Sequence, residues 1–431
     1  MNLARFTQPS SYNHSLPGPD DILRVILPNG IVILSRSNYN SPSIVVHGYL
    51  PAGSLHEPDD LLGLAGFTAS ALMRGTTWHD FKQIYDLLES SGASLHFGSG
   101  THHVSFSGKA LAEDLPMLLG LIAEALRQPI FPAEQVERLR AQLLTGLAIR
   151  AQDTAEMASL TFDKIVYDGH PYSRPEDGYP ETISAITITD IQNYHTRHYG
   201  PRGLVVAVVG AVDPRAAVDQ VSAVLGDWQN PAQSIPPSLP PLRPLAATQL
   251  KKVTIPRKSQ ADIVLGVAGP PRKIDSFLAA SLGNHILGQF GMMGRIGEAV
   301  REKAGLAYYA SSSLSGGLGP GPWDVSAGVD PENVEEAIAL IIEEIRRFTR
   351  ELVTPEELAD SQSHYIGRLP LSMESNSGVA SSLVNLERYD LGLDYYPRYP
   401  GLVSAVNREQ VLEIARQYLD PDRLAIAVAG P

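Results

Sequence analysis

The chain reads as an α+β protein of two homologous halves. Each half is a mostly antiparallel sheet with helices packed on one face, and a Pro-rich linker joins them into a clamshell. Three observations carry this reading. Short apolar strand candidates and long amphipathic helices alternate on both sides of the chain. The proline-rich run IPPSLPPLRP (235–244) divides it near the middle, and such a run enters neither sheet nor helix. The two sides repeat each other at an offset of roughly 220 residues, the mark of a duplicated unit. The expected organisation is 1–234, a linker 235–247, and 248–431.

The repeat is visible residue by residue. RGLVVAVVG (202–210) resembles DRLAIAVAG (422–430), with Pro201 on Pro421, Leu204 on Leu424 and Gly210 on Gly430. TDIQNYHTRHY matches EQVLEIARQYL in the amphipathic stretch before each. EDLPMLLGLIAEALRQ (from Glu113) pairs with ENVEEAIALIIEEIRRF (from Glu332), both with helical apolar spacing. Helices led by Pro132 and Pro355 follow in each half. Strands are expected at IVILSRS (from Ile31), SIVVHGYL (from Ser43), HHVSFSGKA (from His102), LVVAVVG, DIVLGVAG (from Asp262), WDVSAGVD (from Trp323) and LAIAVAG. Each alternates or runs apolar and is bounded by Gly, Pro or Asp.

Composition narrows the function. A length of 431 residues suggests at least two domains and a large core. With 43% hydrophobic and 19% charged residues, the chain has an ordinary soluble composition, and no segment is apolar enough to span a bilayer. A formal charge of -13 without a basic run argues against nucleic acid as a partner. The absence of cysteine removes disulfides, thiolate metal sites and a Cys nucleophile. The N-terminus, MNLARFTQPSSYNHSLPG, has no apolar signal core, so a cytoplasmic protein is the simplest expectation; a trimmed secreted chain would look the same.

Among possible sites, His195 and His198 stand i, i+3 on an expected helix without a convincing third ligand, and a solvent-facing pair is expected. His102 and His103 are adjacent on an expected strand and would point to opposite faces. His170 is expected to pack a loop. SGGLGPGP (315–322) is read as a hairpin turn. The glycines at 288, 291, 294 and 297 lack the Gly-Lys-Ser/Thr of a phosphate loop, and no G-x-S-x-G elbow supports a serine nucleophile.

Four segments taken in order resemble the insulinase-like (pitrilysin-type) zinc peptidases over nearly the whole chain. They are LPNGIVILSRS with SIVVHGYLPAGSLHEP; GLAGFTASALMRGT (63–76); YDGHPYSRPEDGYPETI (from Tyr167); and LGQFGMMGRIGEAVREKAGLAYYASS (from Leu287). In 63–76 the frame residues Gly63, Ala65, Phe67, Arg74, Gly75 and Thr76 agree with the family's G-x-A-H-F-x-E-H-x-x-F-[KR]-G-T. The positions of its H-x-x-E-H hold Gly66, Ala69 and Ser70. The family's third zinc ligand, a Glu about 76 residues beyond the second His, falls on Gly146. A zinc hydrolase needs lone-pair ligands and a carboxylate base, which these side chains do not supply. No metal or other cofactor is therefore expected on this chain, and no catalytic residue.

The resemblance also implies what could remain. Arg301 and Tyr308 in REKAGLAY match the pair that, in the family, hydrogen-bonds bound peptide across from the zinc. Leu95, His96, Phe97, Gly98 and Ser99 occupy the place of an edge strand to which substrate adds through its backbone. The implied role is a non-catalytic subunit of a two-subunit zinc metalloendopeptidase. Its partner would be a homologue bearing H-x-x-E-H and the zinc, in a heterodimer, with a homodimer also open, and its ligands would be unfolded peptides. Two alternatives stand beside it: a structural homologue without peptide binding, and an autonomous enzyme with a relocated metal.

Overall fold

The computed structural model describes residues 16–431. The N-terminal stretch read for a signal core lies, through Ser15, outside them. The first half runs β1 (Leu23–Ile26), β2 (Val32–Ser37), β3 (Ser43–Leu50), α1 (Leu64–Ala71), α2 (Phe81–Ser90), β4 (Ser94–Ser99) and β5 (Val104–Leu111). It continues through α3 (Leu115–Arg127), α4 (Ala133–Arg150), α5 (Thr154–Val166), α6 (Pro180–Ala185), α7 (Ile188–His198), β6 (Val205–Gly210) and α8 (Pro214–Leu225). The second half runs β7 (Gln249–Thr254), β8 (Ala261–Ala268), α9 (Phe277–Gly288), α10 (Phe290–Gly297), β9 (Ala307–Leu314) and β10 (Pro322–Val329). It ends with α11 (Val334–Phe348), α12 (Pro355–Ser372), α13 (Asn376–Arg388), α14 (Tyr395–Ser404), α15 (Arg408–Tyr418) and β11 (Ala425–Gly430).

The strand order is β1-β2-β6-β3-β5-β4 in one sheet and β7-β11-β8-β10-β9 in the other. Without β1 the two orders are the same, so the sequence repeat is a repeat of topology. Only β2–β6 and β7–β11 pair in parallel; every other pair is antiparallel. Helices of the first half cover one face of its sheet, where Leu118, Ile122, Ile191 and Val221 meet Ile33, Ile44, Val46 and Val206. The second half does the same, with Leu282, Ile286, Ile341 and Ile414 against Ile263, Leu265 and Val325.

The opposite faces are not bare, which extends the expectation of helices on one face. α13 of the second half lies on the first sheet, its Val379, Ala380, Leu383 and Val384 packed on Leu34, Val45, Val205 and Ala207. α5 of the first half lies on the second sheet, with Ala158, Phe162 and Ile165 on Val264, Ala425 and Ala427. The reason lies in the central strands. VVAVVG and AIAVAG are buried at every residue, and a strand apolar on both faces needs cover on both. The anchoring is also repeated. Thr154, first residue of α5, donates to Asp262 near the start of β8 (2.5 Å), and Asn376, first residue of α13, donates to the Ser43 carbonyl at the start of β3 (3.1 Å).

One strand start differs from expectation. β5 begins at Val104, because a tight turn closes over residues 100–103 with Gly100 N–H on the His103 carbonyl (2.9 Å). His102 and His103 therefore sit in the turn, with ring centroids 6.0 Å apart rather than on opposite faces of a strand. The 315–321 segment is the loop of the β9–β10 hairpin. Residues 235–247 form neither helix nor strand, and Leu242 and Leu245 rest against the cluster beneath α5.

Candidate functional site

α1 packs against both α4 and the edge strand β4, so the fold brings together the three segments that the sequence singles out. The start of α1 explains much of the 63–76 pattern. Gly63 precedes the helix in the left-handed region (φ +92°), and an added Cβ would lie 2.6 Å from Ile183. Glycine carries no capping side chain, so the cap comes from outside. Glu57 accepts from the N–H groups of Gly63 (3.1 Å) and Ala65 (2.6 Å). Burial pushes the Glu57 carboxyl up to about 8 against the pull of those two amides. Phe67 is in the core with the Arg140 guanidinium over its ring at 5.2 Å. Arg74 stacks on Phe81 (5.1 Å) and reaches Gln142 (3.0 Å). Gly75 turns the chain at φ +150°, and Thr76 bonds Glu124 (2.9 Å).

Gly66, Ala69 and Ser70 lie on α1 and Gly146 on α4. These positions present a single hydroxyl, no imidazole and no carboxylate, so they do not fit a zinc ion or a water-activating base. Among the described residues no group of three or more His, Asp or Glu could hold a metal. Space is not what is missing. A Cβ on Gly66 would meet nothing nearer than the Glu176 carbonyl at 3.7 Å, and one on Gly146 would meet nothing within 4 Å.

β4 is an edge strand, as expected, with its outer side unpaired. Leu95 points into the core, His96 and Gly98 are exposed, and Phe97 and Ser99 are half-buried. Arg301 follows α10 in a widened helical segment (298–303), and Tyr308 is the second residue of β9, the edge of the other sheet. Among the described residues, Arg301 has only its neighbour Glu302 as an ionic partner, at 3.7 Å. Tyr308 is 63% exposed, its hydroxyl 3.4 Å from Asp330. Arg295, from the same motif, is different. It is buried and forked onto Glu357 at 2.7 and 2.6 Å, with Glu344 at 3.8 Å.

His170, His195 and His198 are engaged in packing the fold. His198 is buried and His195 nearly so, which corrects the solvent-facing pair. Ile191, Tyr194 and His198 form the inward stripe of α7. His195 bonds the Leu126 carbonyl (2.9 Å) and His198 meets the Ser234 hydroxyl (2.6 Å); burial lowers them to about 4 and about 3. His170 packs its loop as expected, accepting from the Tyr172 N–H (3.2 Å). The glycines at 288, 291, 294 and 297 lie within α9 and α10.

Sequence reasoning passes over Glu57. A helix that opens on glycine, with no Ser, Thr, Asp or Asn beside it, needs an acceptor from elsewhere. It also passes over Arg388 and Asp163 on the exchanged helices, whose surroundings no local pattern encodes.

The fold and these sites define a duplicated α+β architecture of peptidase type. A profile described as Insulinase (Peptidase family M16) matches residues 32–175, and one described as Peptidase M16 inactive domain matches residues 185–365. The chain belongs to this M16, insulinase-like family. It is 25% identical over 423 residues to a Streptomyces coelicolor protein named an uncharacterized zinc protease, covering 96% of this chain and 90% of that one. It is 27% identical over 419 residues to a Mycobacterium leprae protein of the same description, covering 95% and 92%. Among solved structures, the peptidase M16 inactive domain from Pseudomonas fluorescens superposes with a TM-score of 0.87 at 26% identity, covering 95% and 98% of the two chains. The periplasmic protease PqqL of Escherichia coli shares the fold at a TM-score of 0.79 and 17% identity, with 96% of this chain matching 46% of that one. No described helix is long and apolar enough to cross a membrane.

Proposed function

We propose that this chain is the non-catalytic subunit of a two-subunit zinc metallopeptidase. It binds an extended peptide along β4 and presents Arg301 and Tyr308 to a partner's active site. The partner, a homologue carrying H-x-x-E-H, brings the zinc and the base. The observation that supports this most is an asymmetry. The helices that carry Gly66, Ala69, Ser70 and Gly146 are packed together, and α1 is capped by Glu57, yet they hold no ligand at those positions, while Arg301 and Tyr308 stand accessible without strong partners among the described residues. A guanidinium and a phenol suit a peptide carbonyl that gains negative charge.

The test is reconstitution with an H-x-x-E-H homologue and a peptide cleavage assay. The mixture should cleave where neither chain alone does. Arg301→Ala and Tyr308→Phe should each lower kcat, by about 10²-fold for a lost oxyanion donor. Assembly with unchanged turnover in both variants would leave a scaffold role and refute the mechanism.

A further inference from the structure

Beside β4 lies a groove of 470 Å³ on the face of the first sheet that α13 covers. Phe106 and Val384 are among its apolar lining, and His47, Ser105, Ser381 and Asn385 among its polar lining. Its one permanently charged side chain is Arg388, in the last turn of α13. This guanidinium lies over the Tyr49 ring at 4.6 Å and forms no hydrogen bond or ion pair with any described residue. Its Nε is buried without an acceptor. The adjacent Glu387 is spent on Arg24, in a fork of 2.9 and 2.7 Å. The His47 ring is likewise engaged, its nitrogens 3.4 and 3.0 Å from Ser377 and Ser381.

An arginine without a counter-ion among the described residues is an anomaly in a chain of net charge -13. No lining residue is a carboxylate, so nothing in the groove competes for an incoming anion. A guanidinium offers a planar fork that fits a carboxylate on two parallel N–H groups, and stacking on an aromatic face holds it without using those donors. His96 and Gly98, the exposed residues of β4, belong to the same groove wall. A peptide added to the free edge of β4 would send alternate side chains toward that wall.

We infer that the groove is a specificity subsite for an acidic side chain, Asp or Glu, of a peptide paired on β4, with Arg388 as the residue that selects it. The inference rests on the proposed peptide addition at β4 and names the substrate chemistry that goes with it.

The experiment is fluorescence anisotropy on the full chain with three labelled, extended peptides at low salt. They differ only in one internal Glu, its replacement by Gln, and N-methylation of alternate backbone amides in the Glu peptide. The Glu peptide should bind about tenfold more tightly than the Gln peptide, in keeping with a hydrogen-bonded charge pair open to solvent on one side. Arg388→Gln should erase that ratio while leaving binding of the Gln peptide unchanged. Asn385→Asp, one helical turn from Arg388, supplies an internal counter-ion and should erase it too, without loss of thermal stability. N-methylation should abolish binding to wild type and Arg388→Gln alike. If the Glu/Gln ratio survives both substitutions while N-methylation still abolishes binding, the subsite is refuted and the edge-strand reading stands. If N-methylation leaves binding intact, the edge-strand reading falls and the inference with it. A preference that disappears when only the peptide's C-terminus is amidated would assign the groove to a terminal carboxylate and overturn the side-chain assignment.

Discussion

Phe162→Ala tests whether the exchanged helices make the two halves one cooperative unit. Phe162 is in the first half of the chain, but it is 1% exposed within a cluster that holds Val264, Ala425 and Ala427 of the second sheet. Truncating a buried Phe costs about 3–5 kcal/mol through lost transfer energy and the cavity left behind. The unfolding entropy of a single unit of 431 residues, at about 2.1 cal/mol/K per residue, is about 0.9 kcal/mol/K. A loss of about 4 kcal/mol then lowers Tm by about 4–5 °C. If the halves melted separately, half the entropy would apply, and one transition would drop by about 9 °C while the other stayed fixed. Scanning calorimetry separates these outcomes. One transition displaced by the smaller amount is expected, and Leu383→Ala on α13, fully buried on the first sheet, should displace the same transition. Two transitions, of which Phe162→Ala moves only one, would refute the coupling. Coupling matters for function because a clamshell whose halves exchange helices cannot swing open on its linker alone.

Gly66→Ala and Gly146→Ala should each raise stability by about 0.5–1 kcal/mol in a denaturant titration, since both glycines lie inside helices with room for a methyl group. A loss would show that these positions are constrained by something other than helix packing. Asp163 is held up to about 7 by burial, with Asp324 and Glu176 adding to it, so the native state keeps a proton that the unfolded chain releases near pH 4. Stability is therefore lost as pH rises from about 4 to about 7, and Asp163→Asn should gain on wild type across that window by on the order of 1–3 kcal/mol; parallel pH profiles would refute this. Arg301→Ala and Tyr308→Phe should change Tm by no more than about 1 °C, because both side chains are accessible and weakly bonded, so any fall in turnover of the assembled peptidase is not unfolding.

How much of the fold is legible in the sequence depends on whether a signal is local. SIVVHGYL reads as a strand to the residue, and the helices led by Pro132 and Pro355 start where their prolines place them. β7, QLKKVT, escapes notice because five of its six residues are exposed, so it has no apolar run to find. β9, AYYASSSL, escapes because its serines carry no strand signal, although Ser312 is buried on Asn284 (2.7 Å). The exchange of α5 and α13 cannot be read from either helix, since an amphipathic stripe does not say which sheet it covers. The edge position of β4 comes only through the family resemblance. That Arg388 has no ionic partner among the described residues depends on where α13 lands, more than 270 residues from β4 in sequence.

The match to the family pattern carries unequal weight at different positions, and packing tells them apart. In 63–76 the agreeing residues all serve the fold. Gly63 admits the turn into α1, Ala65 meets the Glu57 cap, Phe67 fills the core, Arg74 stacks on Phe81, and Gly75 with Thr76 closes the exit. Agreement there is what any chain needing this helix would show, with or without hydrolysis. In the second half, Arg295 is likewise explained by its buried fork on Glu357. Arg301 and Tyr308 are not explained in this way. Replacing them would leave no cavity and no buried unpaired group, so stability alone gives no reason for an arginine and a tyrosine there. Their side chains are available for a ligand, as the proposed role in a two-subunit peptidase requires.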